Sequence, residues 1–257
     1  MSRSIISEIR RNHIYELLRK GRRMDDRGPH DLRKITVETG VIDTAEGSAR
    51  VRYGDTEVIA GLKMAIGTPF PDTPDKGVLT TGMELIPMAH PDFEAGPPGS
   101  DAIELARVVD RGIRESGMVD VDKLCITPGE EVWMCFIDIY AINHDGNLFD
   151  AAALAVVSSL KTATVPAAEY GKGEDFPLPV TCLPITVTVA KIENTLIVDP
   201  TFDEEIISSA RLTVTTDENG DIRAMQKGKS GALTVDEIGQ IVDLASEKGE
   251  EIRRLIR

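Results

Sequence analysis

The stretch Lys34-Ile-Thr-Val-Glu-Thr-Gly-Val-Ile-Asp-Thr-Ala-Glu-Gly-Ser-Ala-Arg-Val-Arg-Tyr-Gly-Asp-Thr-Glu-Val-Ile-Ala-Gly-Leu62 decides the fold class. Its apolar residues follow a period of two in Ile35-Thr-Val37, Val41-Ile42, Ala49-Arg-Val51-Arg-Tyr53 and Glu57–Leu62, with Gly40, Glu46-Gly47 and Gly54-Asp55 between the runs. Short alternating runs punctuated by turn residues predict a meander of antiparallel strands. Upstream the period changes: Ile6, Ile9, Ile14, Leu17 and Leu18 predict an amphipathic helix over Ser4–Lys20, with Gly21 as its C-cap. Downstream, residues 68–100 hold seven of the fourteen prolines, so two irregular loops are expected there, flanking a short strand at Thr80–Pro87.

Farther along, Asp101 and Glu104 suggest the capped start of a helix whose apolar stripe is Ala102, Leu105, Val109 and Ile113. A strand at Glu131–Asn143, a His144-Asp145-Gly146 turn and a buried helix at Leu148–Thr162 follow. Beyond a linker at 165–184, strands are predicted at Ile185–Ile192, Leu196–Val198, Ser209–Thr216 and Ile222–Lys227, the last two joined by an Asn219-Gly220 turn. Thr234 and Glu237 form a capping box for a closing helix with the stripe Ile238, Ile241, Ala245, Ile252 and Leu255. This order reads as α+β, with mixed and antiparallel sheets packed by helices. The chain is expected to be a single unit over 1–257: an N-terminal helix and basic segment (1–32), a first core part (33–165) and a C-terminal part (185–257).

Composition narrows the function. The net charge is −14, but it is uneven: residues 1–34 carry ten Lys/Arg against five Asp/Glu, while the remainder is strongly acidic. A surface of that sign repels nucleic acid, so any such contact must be local. The basic N-terminal segment either meets nucleic acid, meets an acidic partner or is a solvated helix flank. Aromatic residues make up only 4%, too few for a base-stacking platform. No apolar run approaches the ~18 residues of a membrane span, and the N-terminus has no apolar secretory core, so a cytoplasmic, non-membrane protein is expected. Cys125, Cys135 and Cys182 lack C-x-x-C spacing and are expected to be buried free thiols. His13, His30, His90 and His144 share no metal spacing, and neither metal nor cofactor is expected.

Three candidate sites need weighing. Gly228-Lys229-Ser230 resembles the end of a phosphate loop, but Arg223 stands where its first glycine belongs. Asp138, amid Trp133, Phe136, Ile137, Ile139 and Tyr140, is expected to need a structural hydrogen-bond partner; most of the other carboxylates, including Asp145, Asp150, Asp199, Asp203, Glu204 and Glu205, are expected at the surface. The third candidate is Arg107, Arg111 and Arg114, whose stems fall within an arc of about 60° on one helix. Guanidinium forks suit phosphate oxygens. On residue types alone, neutralisation by Glu104, Asp110 and Glu115 is the favoured reading.

Longer motifs reverse that preference. Gly21-Arg22-Arg23-Met-Asp25-Asp26-Arg27, Asp31-Leu-Arg33-Lys-Ile35, Ala45-Glu-Gly-Ser-Ala-Arg-Val51 and Gly54-Asp-Thr-Glu-Val-Ile-Ala60 resemble the signatures of the RNase PH family of phosphorolytic exoribonucleases. Thr68-Pro-Phe-Pro-Asp-Thr-Pro74, Pro91-Asp-Phe-Glu-Ala-Gly-Pro-Pro98, Ile103-Glu-Leu-Ala-Arg-Val-Val-Asp-Arg111 and Gly146-Asn-Leu-Phe-Asp-Ala-Ala152 resemble the non-catalytic RNase-PH-type ring subunits of the archaeal exosome. Asp26 departs from the family, which commonly has glycine there.

The resemblance implies an RNase-PH-like fold and a hexameric ring in which three copies alternate with three of a catalytic sister. RNA-binding cap proteins and single-stranded RNA are the further partners. It also implies that Arg107 and Arg111 reach RNA phosphates; Arg114 is not carried over from the family. Active relatives bind phosphate at a strand-to-helix turn ending in a small residue, a Ser/Thr and an Arg; the matching turn here runs through Leu148 and Phe149. Their catalytic Asp falls, in an ungapped reading, on Arg211. No catalytic residue is therefore expected. The competing readings are an active phosphate-dependent exoribonuclease and a scaffold whose arginines touch no RNA.

Overall fold

The computed structural model describes residues 8–256. Helix α1 (Glu8–Arg19) precedes strands β1 (Ile35–Thr39), β2 (Gly47–Tyr53), β3 (Thr56–Gly67) and β4 (Val78–Leu85), then helix α2 (Ser100–Ser116). After a single turn of tighter helix come β5 (Cys125–Thr127), β6 (Glu131–Asn143), helix α3 (Leu148–Lys161) and the short strands β7 (Thr164–Val165) and β8 (Phe176–Pro177). The second half holds β9 (Ile185–Ile192), β10 (Thr195–Val198), helix α4 (Phe202–Ile207), β11 (Ala210–Thr216), β12 (Ile222–Gly228) and helix α5 (Val235–Arg253).

The predicted meander is present as β1-β2-β3, all antiparallel, and β6 pairs with β3 across the long register Glu57↔Asn143 to Gly67↔Val132. The fourth strand departs from expectation only in its bounds. It begins two residues early and lies parallel to β6, so the intervening α2 is the crossover that a parallel pair requires. The second sheet, in the order β10-β9-β11-β12, is antiparallel. Helix α3 is wedged between the two sheets. Every residue from Leu148 to Leu160 is buried, as expected of a helix that is apolar on all sides, and one core runs through both halves.

Several local readings are corrected. Val41-Ile42 is loop, because the Ile42 amide is satisfied by Ser48 Oγ (2.9 Å) and not by a strand partner. Gly99, not Asp101, is the N-cap of α2, and no side chain caps it. Asp138 points to solvent: on β6 the inward set is Trp133, Cys135, Ile137, Ile139 and Ala141, so strict alternation puts the carboxylate outside. Cys135 is buried, whereas Cys125 and Cys182 are only half-buried. In the Asp217–Asp221 loop Gly220 has positive φ but Asn219 does not; the Asp217 carboxylate accepts both the Asn219 and Asp221 amides at 2.9 Å. Of the α5 stripe, Ile241, Ala245 and Ile252 are buried, while Ile238 and Leu255 are exposed. Ser4–Ile6 lie outside the described residues. The predicted C-cap Gly21 is left-handed at φ 70°.

Candidate RNA-contact helix and the altered strand-to-helix turn

Helix α2 buries Ala102, Leu105, Val108, Val109, Gly112 and Ile113 against β4, β12 and α3, and this fixes what its other face presents. Arg107, Arg111 and Arg114 are all exposed, but they differ in their partners. Arg114 is paired with Asp110 (3.0 Å) and donates to the Leu79 carbonyl (3.1 Å), so its guanidinium serves the fold. Glu104 does not neutralise the stripe; it reaches Arg211 on β11 at 2.6 Å. Among the described residues no carboxylate lies within ion-pair distance of Arg107 or Arg111, and Arg111 meets only the neutral amide of Gln226 (3.3 Å).

The turn that resembles a phosphate site is built from residues far apart in sequence. Leu148, Phe149, Arg211, Glu104, Glu205 and His144 line one cleft of about 290 Å³. The Arg211 guanidinium lies over the Phe149 ring, 3.9 Å from its centroid, a cation–π contact that occupies both groups. The Asn147 amide at the start of α3 is taken by the Glu205 carboxylate (2.9 Å). Lys229 does not form a phosphate loop; its ammonium binds the Glu205 and Ser208 carbonyls at the C-terminal end of α4. An anion entering this cleft meets Leu148, Phe149 and the Glu104 and Glu205 carboxylates, while the Arg211 guanidinium is paired with Glu104 and stacked on Phe149.

Behind the turn lies a buried polar network whose carboxylates were expected at the surface. Arg33 grips Asp199 in a fork (2.7 and 2.9 Å) and donates to the Asp145 and Gly146 carbonyls. Burial works to raise the Asp199 carboxyl, but the Arg33 hydrogen bonds and charge, with Asn147, hold it below its usual value. Arg23 and Glu204 form a second buried pair, and Arg27 also reaches Asp199. The basic N-terminal segment thus finds its acidic partner inside its own chain. Asp26 sits there at φ 64°, a left-handed conformation that explains the family's glycine; aspartate tolerates it better than most residues. His90 and His144 pack with Phe93 and Phe202 in an aromatic cluster, and burial brings His144 down to about 4, so it is neutral near pH 7. Charge asymmetry was the sequence signal for the arginine clasp. Helix α4 has six residues, too few to show a period, and its sequence signal is the Thr201–Glu204 capping box.

Asp150 is fully buried, and burial lifts its carboxyl to about 7 despite hydrogen bonds from Thr188 and Asn147. Its oxygens meet Thr188 N (2.9 Å), Thr188 Oγ1 (2.7 Å) and Asn147 Nδ2 (2.8 Å). A protonated Asp150 can donate to Thr188 Oγ1, which in turn donates to Thr213 (3.0 Å). Because the folded value exceeds the unfolded one of about 3.9, this group's contribution is complete below pH ~4 and is lost as pH rises through about 7. Asp150→Asn keeps the same contacts without the charge. Its urea midpoint relative to the parent is expected to rise between pH 5 and pH 8; a constant difference would mean Asp150 does not titrate in that window.

Residues 31–166 match the 3′ exoribonuclease family, domain 1, and residues 182–248 match domain 2 of the same family. The chain is 51% identical over 253 residues to the exosome complex component Rrp42 of Methanocella arvoryzae, covering 98% of this chain and 97% of that one. It superposes with a TM-score of 0.95 and 44% identity on a chain of the Archaeoglobus fulgidus exosome with RNA bound to the active site, covering 97% of this chain and 98% of that chain. An archaeal exosome core chain gives 0.89 at 42% identity, covering 96% and 95%. Two-domain family matches, near-complete relatives and a shared fold lead to one conclusion: the chain belongs to the RNase PH family of 3′ exoribonucleases.

Proposed function

We propose that this chain is the non-catalytic RNase-PH-type subunit of an exosome core ring, where it holds RNA for 3′-to-5′ phosphorolysis by a catalytic sister. Three copies alternate with three of the sister, cap proteins that bind RNA sit on the ring, and single-stranded RNA is the substrate of the assembly. Arg107 and Arg111 grip the RNA backbone beside the sister's active site, and inorganic phosphate attacks the 3′-terminal phosphodiester there, not in this chain. The complex works in the cytoplasm; the three cysteines are free thiols, the state a reducing compartment maintains. No helix among the described residues is long and apolar enough to cross a membrane.

One observation carries the reading. In a chain of net charge −14, two arginines on one exposed helix face have no acidic partner among the described residues, while the neighbouring turn is filled by Leu148, Phe149 and Arg211. Charge left unneutralised in an acidic protein is available to an outside anion.

The test is a ring reconstituted with the sister subunit and carrying Arg107→Glu and Arg111→Glu together. Charge-assisted contacts contribute about 1.5–3 kcal/mol each, so affinity for a fluorescent single-stranded RNA should fall about a hundredfold or more. The slope of log K against log salt should flatten by about 0.7 for each phosphate no longer held. Unchanged affinity and slope in an intact ring would leave this chain a scaffold.

A further inference from the structure

Arg111 belongs to the first half of the chain, yet its one side-chain hydrogen-bond partner among the described residues comes from the second. Gln226 lies on β12, the edge strand of the second sheet, in register with Thr213 of β11. With Val108, Thr213, Thr215 and Ala224 it lines a shallow depression along the seam where α2 crosses that sheet. Arg111 Nη1 donates to Gln226 Oε1 at 3.3 Å, and Gln226 Nε2 donates to the Lys227 carbonyl at 3.3 Å. The second hydrogen bond fixes which end of the amide faces the guanidinium.

We infer that Gln226 is a positioning residue that orients Arg111 toward the RNA phosphate without neutralising it. This rests on the RNA-holding role of Arg111 proposed above. The physical case turns on the choice of partner. The chain has 43 acidic residues and pairs Arg114, Arg211 and Arg223 with carboxylates, but gives Arg111 an amide. An exposed arginine loses much rotamer freedom when it binds, and a preset orientation removes part of that cost. A carboxylate in the same place would preset it equally well, but would compete with the phosphate for the same donors. An amide accepts one N–H and leaves the full charge and the remaining donors of the fork free. The site is therefore completed across both halves of the chain, by a helix of the first and an edge strand of the second.

The experiment is an anisotropy titration of a fluorescent single-stranded oligoadenylate on the reconstituted ring, over a salt series, with Gln226→Glu, Gln226→Leu, Arg111→Ala and the corresponding doubles. Gln226 is partly exposed on an edge strand, so neither substitution should disturb the fold. Gln226→Glu is expected to weaken binding about tenfold and flatten the salt slope by about 0.7, the change that follows when one RNA phosphate goes unneutralised. Gln226→Leu, which removes the acceptor and adds no charge, should weaken binding severalfold with less change in slope. Both effects should vanish in the Arg111→Ala background, because the residue acts through that guanidinium. Equal losses with and without Arg111 would overturn the inference and make Gln226 a direct RNA ligand. Weaker binding on Arg111→Ala with none on Gln226→Glu would overturn the inference alone. Unchanged binding on Arg111→Ala would overturn it together with the role of Arg111 in holding RNA.

Discussion

Replacing Gly146 by alanine is expected to cost about 3–5 kcal/mol and to lower the melting temperature by roughly 10 °C or more. Gly146 has φ 86°, where a side chain carries a left-handed penalty of about 1–2 kcal/mol. A Cβ there would also stand 2.5 Å from Phe202 N and Pro200 O, against the backbone at the start of α4. Neither side of the turn can retreat. Its carbonyl is held by Thr56 Oγ1 (2.6 Å) and Arg33 Nη2 (3.2 Å), while α4 is pinned by the Arg23–Glu204 pair. Gly129→Ala is the internal control: φ is 79° there, but nothing lies within 4 Å of the added Cβ, so only the conformational penalty of about 1–2 kcal/mol should appear. Urea unfolding of the two variants separates strain from collision. Equal losses would mean that the turn and α4 can move apart.

The second large effect is expected at Arg23. Its side chain is fully buried, with Glu204 beside it at 1% exposure. The guanidinium donates to Glu204 Oε1 (2.9 Å) and to the Val198 and Asp199 carbonyls (2.8 Å each). Removing one member of a buried pair leaves the other charge uncompensated, at a cost of about 3–5 kcal/mol. Arg23→Ala should therefore destabilise by that amount, with faster amide exchange across residues 21–33, which the pair holds to the second half. Glu204 also accepts from Thr201 N (2.8 Å) and Thr201 Oγ1 (3.0 Å) at the start of α4. Glu204→Gln keeps an acceptor there, so Arg23→Met with Glu204→Gln should recover part of the loss by removing both charges. A cost below 1 kcal/mol for Arg23→Ala would show that the pair contributes specificity and little stability.

Patterns repeated over many residues are legible in the sequence. Strand β6 and strand β9 stand where their alternation places them, and the Thr234–Glu237 capping box opens α5 as its spacing requires. Pairing direction was not legible, because the alternation of Thr80–Pro87 is the same whether the neighbour runs parallel or antiparallel. Asp138 lies outside because Trp133, Ile137 and Ile139 belong to the opposite face, while Phe136 and Tyr140, which share its face, are themselves only partly covered. Arg107 and Arg111 were nameable through the family resemblance, and α2 presents both on its open face. Their lack of acidic partners was not: Glu104 is three residues from Arg107, yet its partner Arg211 lies 107 residues away. Gln226 left no signal, since a polar residue on a short edge strand is ordinary until the helix facing it is known.

The clasp between Arg23 and Glu204 spans 181 residues of chain, which sets an order of events during synthesis. At about 5–20 residues per second, the ribosome needs roughly 10–40 s to deliver the carboxylate after the arginine. Throughout that interval Arg23, Arg27 and Arg33 have no Asp199 or Glu204 to meet, and the first sheet must close without them. This basic segment is thus made well before its partners and fastened only after them, and its docking reports that the second half has arrived.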